Sequence, residues 1–304
     1  MTTTAAVPKS AARVRPPKGG RVSGLRRFAQ VSPAGAVSLA LLLFVLFVAA
    51  FADQLAPRDP LSTSLPIARR PPSLQNLLGT DNLGRDVLSR LIHGTRVTMT
   101  VVLVSVFLGD TIGFLWGLTS GYLGNRFDLL SQRVLDVLMA FPALILAMLL
   151  LTGLGAGLHT VIVAIAVTRV PLTTRVIRSV TLAVKEQVFV TAAQSIGAGS
   201  LRIMARHVAP QCIAPLLVIV SFNLGSAIFA EAALNFLGVG LPPPAPTWGS
   251  MLGGVLAETF RPQWWLLLFP GLAITVTITA TNLLGDALRD FLDPRMKRQM
   301  QLPA

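Results

Sequence analysis

The chain has 304 residues, of which 53% are hydrophobic and only 13% charged. Soluble domains carry roughly 25% charge, so the composition excludes an ordinary soluble enzyme and a disordered chain and points to a polytopic membrane protein. The net charge of +13 does not signify nucleic-acid binding, because Lys and Arg stand at the edges of apolar runs and not as a stripe along a soluble fold.

Residues 1–32 form a basic, Pro- and Gly-containing tail with Lys9, Arg13, Arg15, Lys18 and Arg21. That composition predicts disorder, with charge suited to contact with anionic lipid. The first crossing, which needs about 20 apolar residues, runs from about Pro33 to Ala52 within a 33–53 unit. Ala50-Phe51-Ala52 has the small-residue pattern of a signal cleavage site. The apolar stretch is longer than the roughly 7–15 residues of a signal core and follows a long tail, so it reads as a retained helix.

Residues 54–96 are predicted to be an outer loop ending in an amphipathic helix over 85–96. Val87, Leu88, Leu91 and Ile92 would form its apolar stripe, with Arg85, Asp86 and Arg90 exposed and the helix flat on the interface, contact with a partner subunit being the other reading. The second crossing covers about Val97 to Leu123 and is interrupted by Asp110. Its Gly113, Gly117 and Gly121 recur every fourth residue and predict close helix packing. The third runs from about Val134 to Thr152, the fourth from about Leu158 to Leu172, the fifth from about Ile213 to Leu237 and the sixth from about Trp264 to Leu284. The expected fold is all-α with six transmembrane helices, the last five within 97–285, followed by a 286–304 tail. Pro142, Pro171 and Pro270 are expected kink points. Asp110, Asp136 and Glu231 lie in or near crossings, where charge faces protein or water.

With the amino terminus placed inside, 19 of the 26 Lys and Arg residues fall on the inner segments, so positive-inside bias puts both termini in the cytoplasm. The single cysteine, Cys212, allows no internal disulfide and reads as a small core residue. The sequence has no Gly-Lys pair, and hence no P-loop. His93, His159 and His207 have no metal-ligand spacing, and neither a Gly-x-Ser-x-Gly elbow nor a carboxylate pair is visible. A membrane-embedded enzyme would need one of these.

Between the fourth and fifth crossings, residues 185–210 predict two short helices around a break. Gly197 and Gly199 supply the turn and Ser200 a cap. Leu201, Met204 and Val208 would share an inner face, with Arg202 and Arg206 on the other. From the residues alone, a plain loop with two surface helices and a docking surface for an anionic partner both remain open.

The spacing Ala192-Ala193-x3-Gly197-x12-Pro210 resembles the EAA loop of ATP-binding-cassette importer permeases. Three further stretches resemble the oligopeptide/dipeptide/nickel branch of that family: Leu78-Gly-Thr-Asp-Asn-Leu-Gly-Arg-Asp-Val-Leu-Ser-Arg90, the run from Glu231 through Asn235 and Trp248 to Met251, and Asn282-Leu-Leu-Gly-Asp-Ala-Leu-Arg-Asp-Phe-Leu-Asp-Pro-Arg295. Their order, with the extra first crossing, resembles the dipeptide permease "C" subunits. Thr191 replaces the acidic residue that opens the EAA pattern, Ala209 precedes Pro210 where the family has Leu, and His207 takes the Ile position.

The resemblance implies a type I importer fold and a non-catalytic permease subunit for short peptides. The implied partners are a second permease subunit, two ATPase domains and an extracytoplasmic binding protein. The chain itself would bind no cofactor; ATP and Mg²⁺ would be held by the partner ATPase. Thr191, Ala192, Ala193, Gln194, Ser195, Gly197, Arg202, His207 and Pro210 would couple to that ATPase. Glu231, Asn235 and Trp248 would line the pathway or touch a partner, with a structural hydrogen bond as the other reading of Glu231. A nickel or other small-solute permease of the same branch is the nearest alternative, and a stand-alone secondary carrier is the alternative from another class.

Overall fold

The computed structural model describes residues 28–29, 32–258 and 263–292. The basic residues of the 1–32 tail, and residues 293–295 of the last motif, lie outside them. The helices are α1 (Pro33–Ala50), α2 (Ala52–Leu55), α3 (Val87–Leu123), α4 (Asn125–Met139), α5 (Ala143–Leu154), α6 (Leu158–Lys185), α7 (Val188–Ser195), α8 (Ser200–Ile203), α9 (Ala209–Phe236), α10 (Trp248–Glu258) and α11 (Trp264–Leu292). A wide π turn, Met204–Val208, joins α8 to α9. Among the described residues there is no β-strand, only an isolated bridge between Thr80 and Asp86.

Five stretches are long and apolar enough to cross a membrane: α1, α3, α6, Ser200–Phe236 and α11. The predicted third crossing is not one rod. It is α4 and α5, bent by 88° about Pro142, and it makes a sixth crossing only if the pair is counted as one. Pro142 cannot donate to the preceding turn and disfavours helix at Phe141, so the chain turns there. Gly124 before α4 and Gly155 after α5 adopt positive φ, +66° and +89°, in open space. Pro171 and Pro270 lie inside continuous helices. The fourth and fifth crossings are longer than expected, because α6 continues to Lys185 and the fifth begins at Ser200.

The 85–96 segment is not a separate interfacial helix. It is the first turns of the 37-residue α3, and Asp86 and Arg90 are buried, with Arg85 half-buried. Burial is possible because residues 56–86 fold over them and supply partners. Asp86 caps α3 by accepting from Ser89 N–H at 2.9 Å, and it also accepts from the Ser89 hydroxyl and from Asn76 Nδ2. Asp81 accepts from Arg85 Nε at 2.7 Å and faces Arg90 Nε at 3.5 Å. Gly79 and Gly84 lie at φ +79° and +74°, and a Cβ on Gly84 would collide with the Ser64 backbone. Only glycine fits there.

At the same end, Arg96 closes α1. Its Nε and Nη2 donate to the Ala49 and Ala50 carbonyls, and its Nη1 donates to both Asp53 oxygens at 2.9 Å. The last carbonyls of α1 thus meet a cation, and the hydrogen bond from Arg96 holds the Asp53 carboxyl below its usual range.

The centre of the bundle is the seam of α3 with α6, which run parallel. A Cβ built on Gly109, Gly113, Gly117 or Gly121 would meet, in turn, Ala166 and Arg169, Thr173, Thr174, and Thr181. The predicted Gly113, Gly117 and Gly121 face is therefore a packing face, extended by Gly109. Antiparallel α9 covers the seam and α11 packs on α9, with Gly225 against Thr281 and Asn282 and Gly285 against Ser221. The main apolar core gathers Val101, Val102, Ile165, Ile228, Leu234 and Trp248. Many large apolar residues are left outward, including Leu43, Phe44, Phe107 and Leu149, as expected of a surface facing lipid or other chains.

Candidate coupling segment and the polar residues of the bundle

The 185–210 segment folds as two short helices around a break, with Gly197 at φ +80° making the turn. Three details differ from the sequence expectation. The cap of α8 is Gly199, which brings no side-chain hydrogen bond, and Ser200 is already helical. Leu201 is 77% exposed, and Ile203 joins Met204 and Val208 on the inner face in its place. Ala192 and Ala193 face opposite ways: Ala193 is buried at 6% and Ala192 is exposed. Adjacent helical residues are about 100° apart, and here the turn brings Ala193 against the second core and leaves Ala192 outside it.

The inner face is a second core. Val190, Ala193, Ile203, Met204 and Val208 pack with Leu118 and Tyr122 of α3, Ile177 of α6 and Cys212 of α9. Cys212 is therefore a core residue, with its sulfur 3.7 Å from Thr181 Oγ1. Lys185 Nζ donates to the Tyr122 carbonyl at 2.8 Å and lies over the Tyr122 ring, tying the exit of α6 to α3. The segment is thus packed against three membrane helices at once.

The outer face carries Thr191, Ala192, Gln194 and Ser195, all exposed, beside Val188 at 84% and Ile196 at 85%. Arg202 and Arg206 are exposed on the following turns. Val188 and Ile196 were not singled out from sequence, although an apolar residue on each side of a short polar helix was a readable signal. Pro210 has a physical role in the π turn. It has no N–H for the Arg206 carbonyl and its ring crowds that carbonyl, so the turn widens and Ala209 N–H reaches back to the Met204 carbonyl. His207 lies in this turn, half-buried, with a buried Nδ1 that has no hydrogen-bond partner.

Glu231, Asn235 and Trp248 were expected at the pathway or a partner contact. The structure places all three inside the chain. Glu231 is fully buried, accepting from Thr98 Oγ1 at 3.2 Å and from Asn235 Nδ2 at 2.8 Å. Asn235 Oδ1 then accepts from Leu241 N–H, holding the loop that leaves α9. Trp248 is 2% exposed and donates its indole N–H to the Leu91 carbonyl. Trp248 opens α10, a helix lying between the fifth and sixth predicted crossings. The missed signal was Thr247-x-x-Ser250, whose side chains and N–H groups cap one another reciprocally. Gly249 and Gly253 let α10 lie directly on the Ala232 and Phe236 backbone.

Asp136 pairs with Arg175, and Asp128 with Arg178, so two ion pairs join α4 to α6. Asp110 lies deeper, held by Thr173 and Asn223.

Residues 113–298 match the family described as binding-protein-dependent transport system inner membrane component. The chain is 42% identical over 263 residues to a putative peptide transport system permease protein of Brucella abortus biovar 1 (strain 9-941), covering 86% of this chain and 88% of the relative. It is 41% identical over 265 residues to a di/tripeptide transport system permease protein of Pseudomonas aeruginosa (strain UCBPP-PA14), covering 85% and 87%. Against a glutathione transport system permease protein of Escherichia coli O1:K1 / APEC it is 40% identical over 274 residues, covering 90% and 89%. With its multi-helix membrane bundle and the family match reaching across the 185–210 segment, the chain belongs to the inner membrane components of binding-protein-dependent transport systems.

Proposed function

We propose that this chain is one permease subunit of an importer for short peptides, driven by a separate ATPase that docks on residues 188–202. The relatives named for peptides, di/tripeptides and glutathione support the cargo class. The observation that carries the docking reading is the two-faced segment. Val188, Thr191, Ala192 and Ile196 face outward, while Val190, Ala193 and Met204 are fixed against α3, α6 and α9. A surface that is displaced together with three membrane helices is what coupling requires. Closure of the ATPases on ATP would move the segment, and the helices would pass from inward-open to outward-open, receive the peptide from a binding protein and release it inside. Nucleotide contacts bias that two-state equilibrium. ATP and Mg²⁺ are assigned to the ATPase, and the rest of the pathway to a second permease subunit. The distribution of Lys and Arg supports cytoplasmic termini.

The test is purification of the tagged chain in mild detergent, with identification of what accompanies it, followed by peptide uptake in vesicles. A P-loop ATPase and a second permease in fixed ratio, with ATP-dependent uptake, are expected. Recovery of the chain alone, with uptake driven by a proton or sodium gradient, would move the reading to a secondary carrier.

A further inference from the structure

A charged cluster lies midway along the bundle, apart from the coupling segment. Asp110 on α3 is 4% exposed. Its Oδ1 accepts from Thr173 Oγ1 at 2.6 Å and from Asn223 Nδ2 at 2.7 Å, so α3, α6 and α9 meet on one oxygen. Its Oδ2 is buried with no hydrogen-bond partner. Arg169 on α6 stands beside Gly109, the residue before Asp110. The guanidinium does not turn in to the carboxylate. Its Nη1 donates to Ser226 Oγ at 2.6 Å, and its Nε is buried without a partner.

Ser226 is exposed and Arg169 half-buried, so the cation reaches the outer face of the α6–α9 pair. That face is otherwise apolar, with Leu172, Phe222 and Phe229 exposed at helical spacing around the pair. At 1.5 Å per residue Arg169 stands roughly 17 Å from the start of α6, well inside the bilayer. A guanidinium at that depth is not left against hydrocarbon, so this face looks onto protein or water. The position is also too deep for a lipid headgroup.

We propose that Arg169 and Ser226 form a mid-membrane station for the carboxylate of the passing peptide, with Asp110 as the counter-charge that keeps the station weak. The proposal rests on the peptide-importer reading. Every free peptide carries a carboxylate, and glutathione carries two. A permanent acidic partner on the second permease subunit fits less well, because Arg169 would then be shared between two carboxylates and leave a buried negative charge uncompensated. A transient anion meets that crowding of negative charge only while it is bound, which suits a site on a transport path that must release what it binds. Asp110 tempers Arg169 from inside without occupying its donors. It is a positioning residue, and Arg169 is the ligand-binding one.

The test uses the whole transporter with its binding protein in proteoliposomes, with alanyl-alanine and its C-terminal amide as probes. Because the binding protein is the same throughout, differences between variants report on the membrane part. Arg169→Gln is expected to raise the KM for alanyl-alanine by about tenfold, the loss of one charge-assisted hydrogen bond, and to change uptake of the amide by less than about twofold. Arg169→Lys should retain most of the preference for the free carboxylate. Asp110→Asn should lower both KM and kcat, because the cargo is held longer. Equal transport of both probes by Arg169→Gln and by the wild type, or equal loss of both, overturns the proposal while leaving the importer reading intact. No uptake of alanyl-alanine by the wild type removes that reading itself. A second readout is Arg169→Cys in a Cys212→Ala background. A water-soluble thiol reagent should modify it, and alanyl-alanine should slow the reaction. A thiol shielded in every nucleotide state would place the partner subunit over Arg169 and overturn the station.

Discussion

Gly117 lies so close beneath Thr174 that a Cβ built on it would stand 2.5 Å from the Thr174 carbonyl oxygen. The obstacle is backbone, which cannot rotate away as a side chain can. Gly117→Ala therefore has to part α3 from α6, at a cost of about 1–3 kcal/mol. The expected result is a lower thermal midpoint in detergent and less protein in the membrane. Gly153→Ala, on α5 with nothing within 4 Å, is the matched control and should leave the midpoint unchanged or raise it. Equal midpoints for the two variants would mean that the seam is slack.

Ala192 and Ala193 separate docking from packing. Ala193→Glu buries a charge in the second core and is expected to cost several kcal/mol, seen as a lower midpoint and a broadened gel-filtration peak. Ala192→Glu and Ile196→Glu leave that core untouched. They should keep the wild-type midpoint and lose about tenfold or more of the co-purifying ATPase, the scale of an interface hot spot. Retention of the ATPase by both outward variants would disprove docking on this face.

Glu231 acts as the hub of a buried polar junction, linked to Thr98 and Asn235. Glu231→Gln keeps the shape and an acceptor, so the midpoint should hold or rise. Glu231→Ala strands the Thr98 hydroxyl and one of the two Asn235 amide hydrogens, the other still donating to the residue-231 main-chain carbonyl, at about 1–3 kcal/mol for each buried group left unpaired. Thermal unfolding of the two variants side by side checks this. Identical midpoints would mean that water replaces the side chain.

Asp86 both caps α3 and holds Asn76 of the overlying segment. Asp86→Ala should cost about 1–2 kcal/mol from the cap alone and release residues 56–86 before the bundle loosens. Trypsin cleavage at Arg58 or Arg69 should quicken several-fold while the α3–α11 fragment stays protected. Unchanged cleavage would show that the Asp81–Arg85–Arg90 group suffices without the cap.

What could be read from the sequence was whatever shows as a period along one chain. Apolar runs marked the membrane stretches, the four-residue glycine repeat marked the seam, and Gly197 marked the break between α7 and α8. What could not be read was set by neighbours remote in sequence. Arg90 reads as exposed from its own helix and is buried because Asp81 and the Pro60 carbonyl fold over it. Asp110 looks anomalous until Thr173 and Asn223 arrive from two other helices. Which alanine of 192 and 193 faces outward depends on where α3 and α9 lie, and neither is encoded in the pair. The right angle at Pro142 was underestimated as a kink, since hydropathy records length and not direction.

The elbow of α4 and α5 has a mechanical consequence. Its two ends are glycines in left-handed geometry with free space around them; α4 is tied to α6 through Asp128–Arg178 and Asp136–Arg175, while α5 packs Ala147 and Leu151 into the main apolar core beside Val161, Ile162 and Ile165 of α6. Such an element is an outrigger with its α4 arm moored by charge and its α5 arm keyed into the core. Its moorings stand on the stretch of α6 that leads into residues 188–202, so under the proposed coupling a displacement of that segment would be carried along α6 to α4. The side chains of both pairs are partly accessible, so if coupling runs as proposed, added salt would act on it by slackening the ties of α4, at a point apart from the docking face.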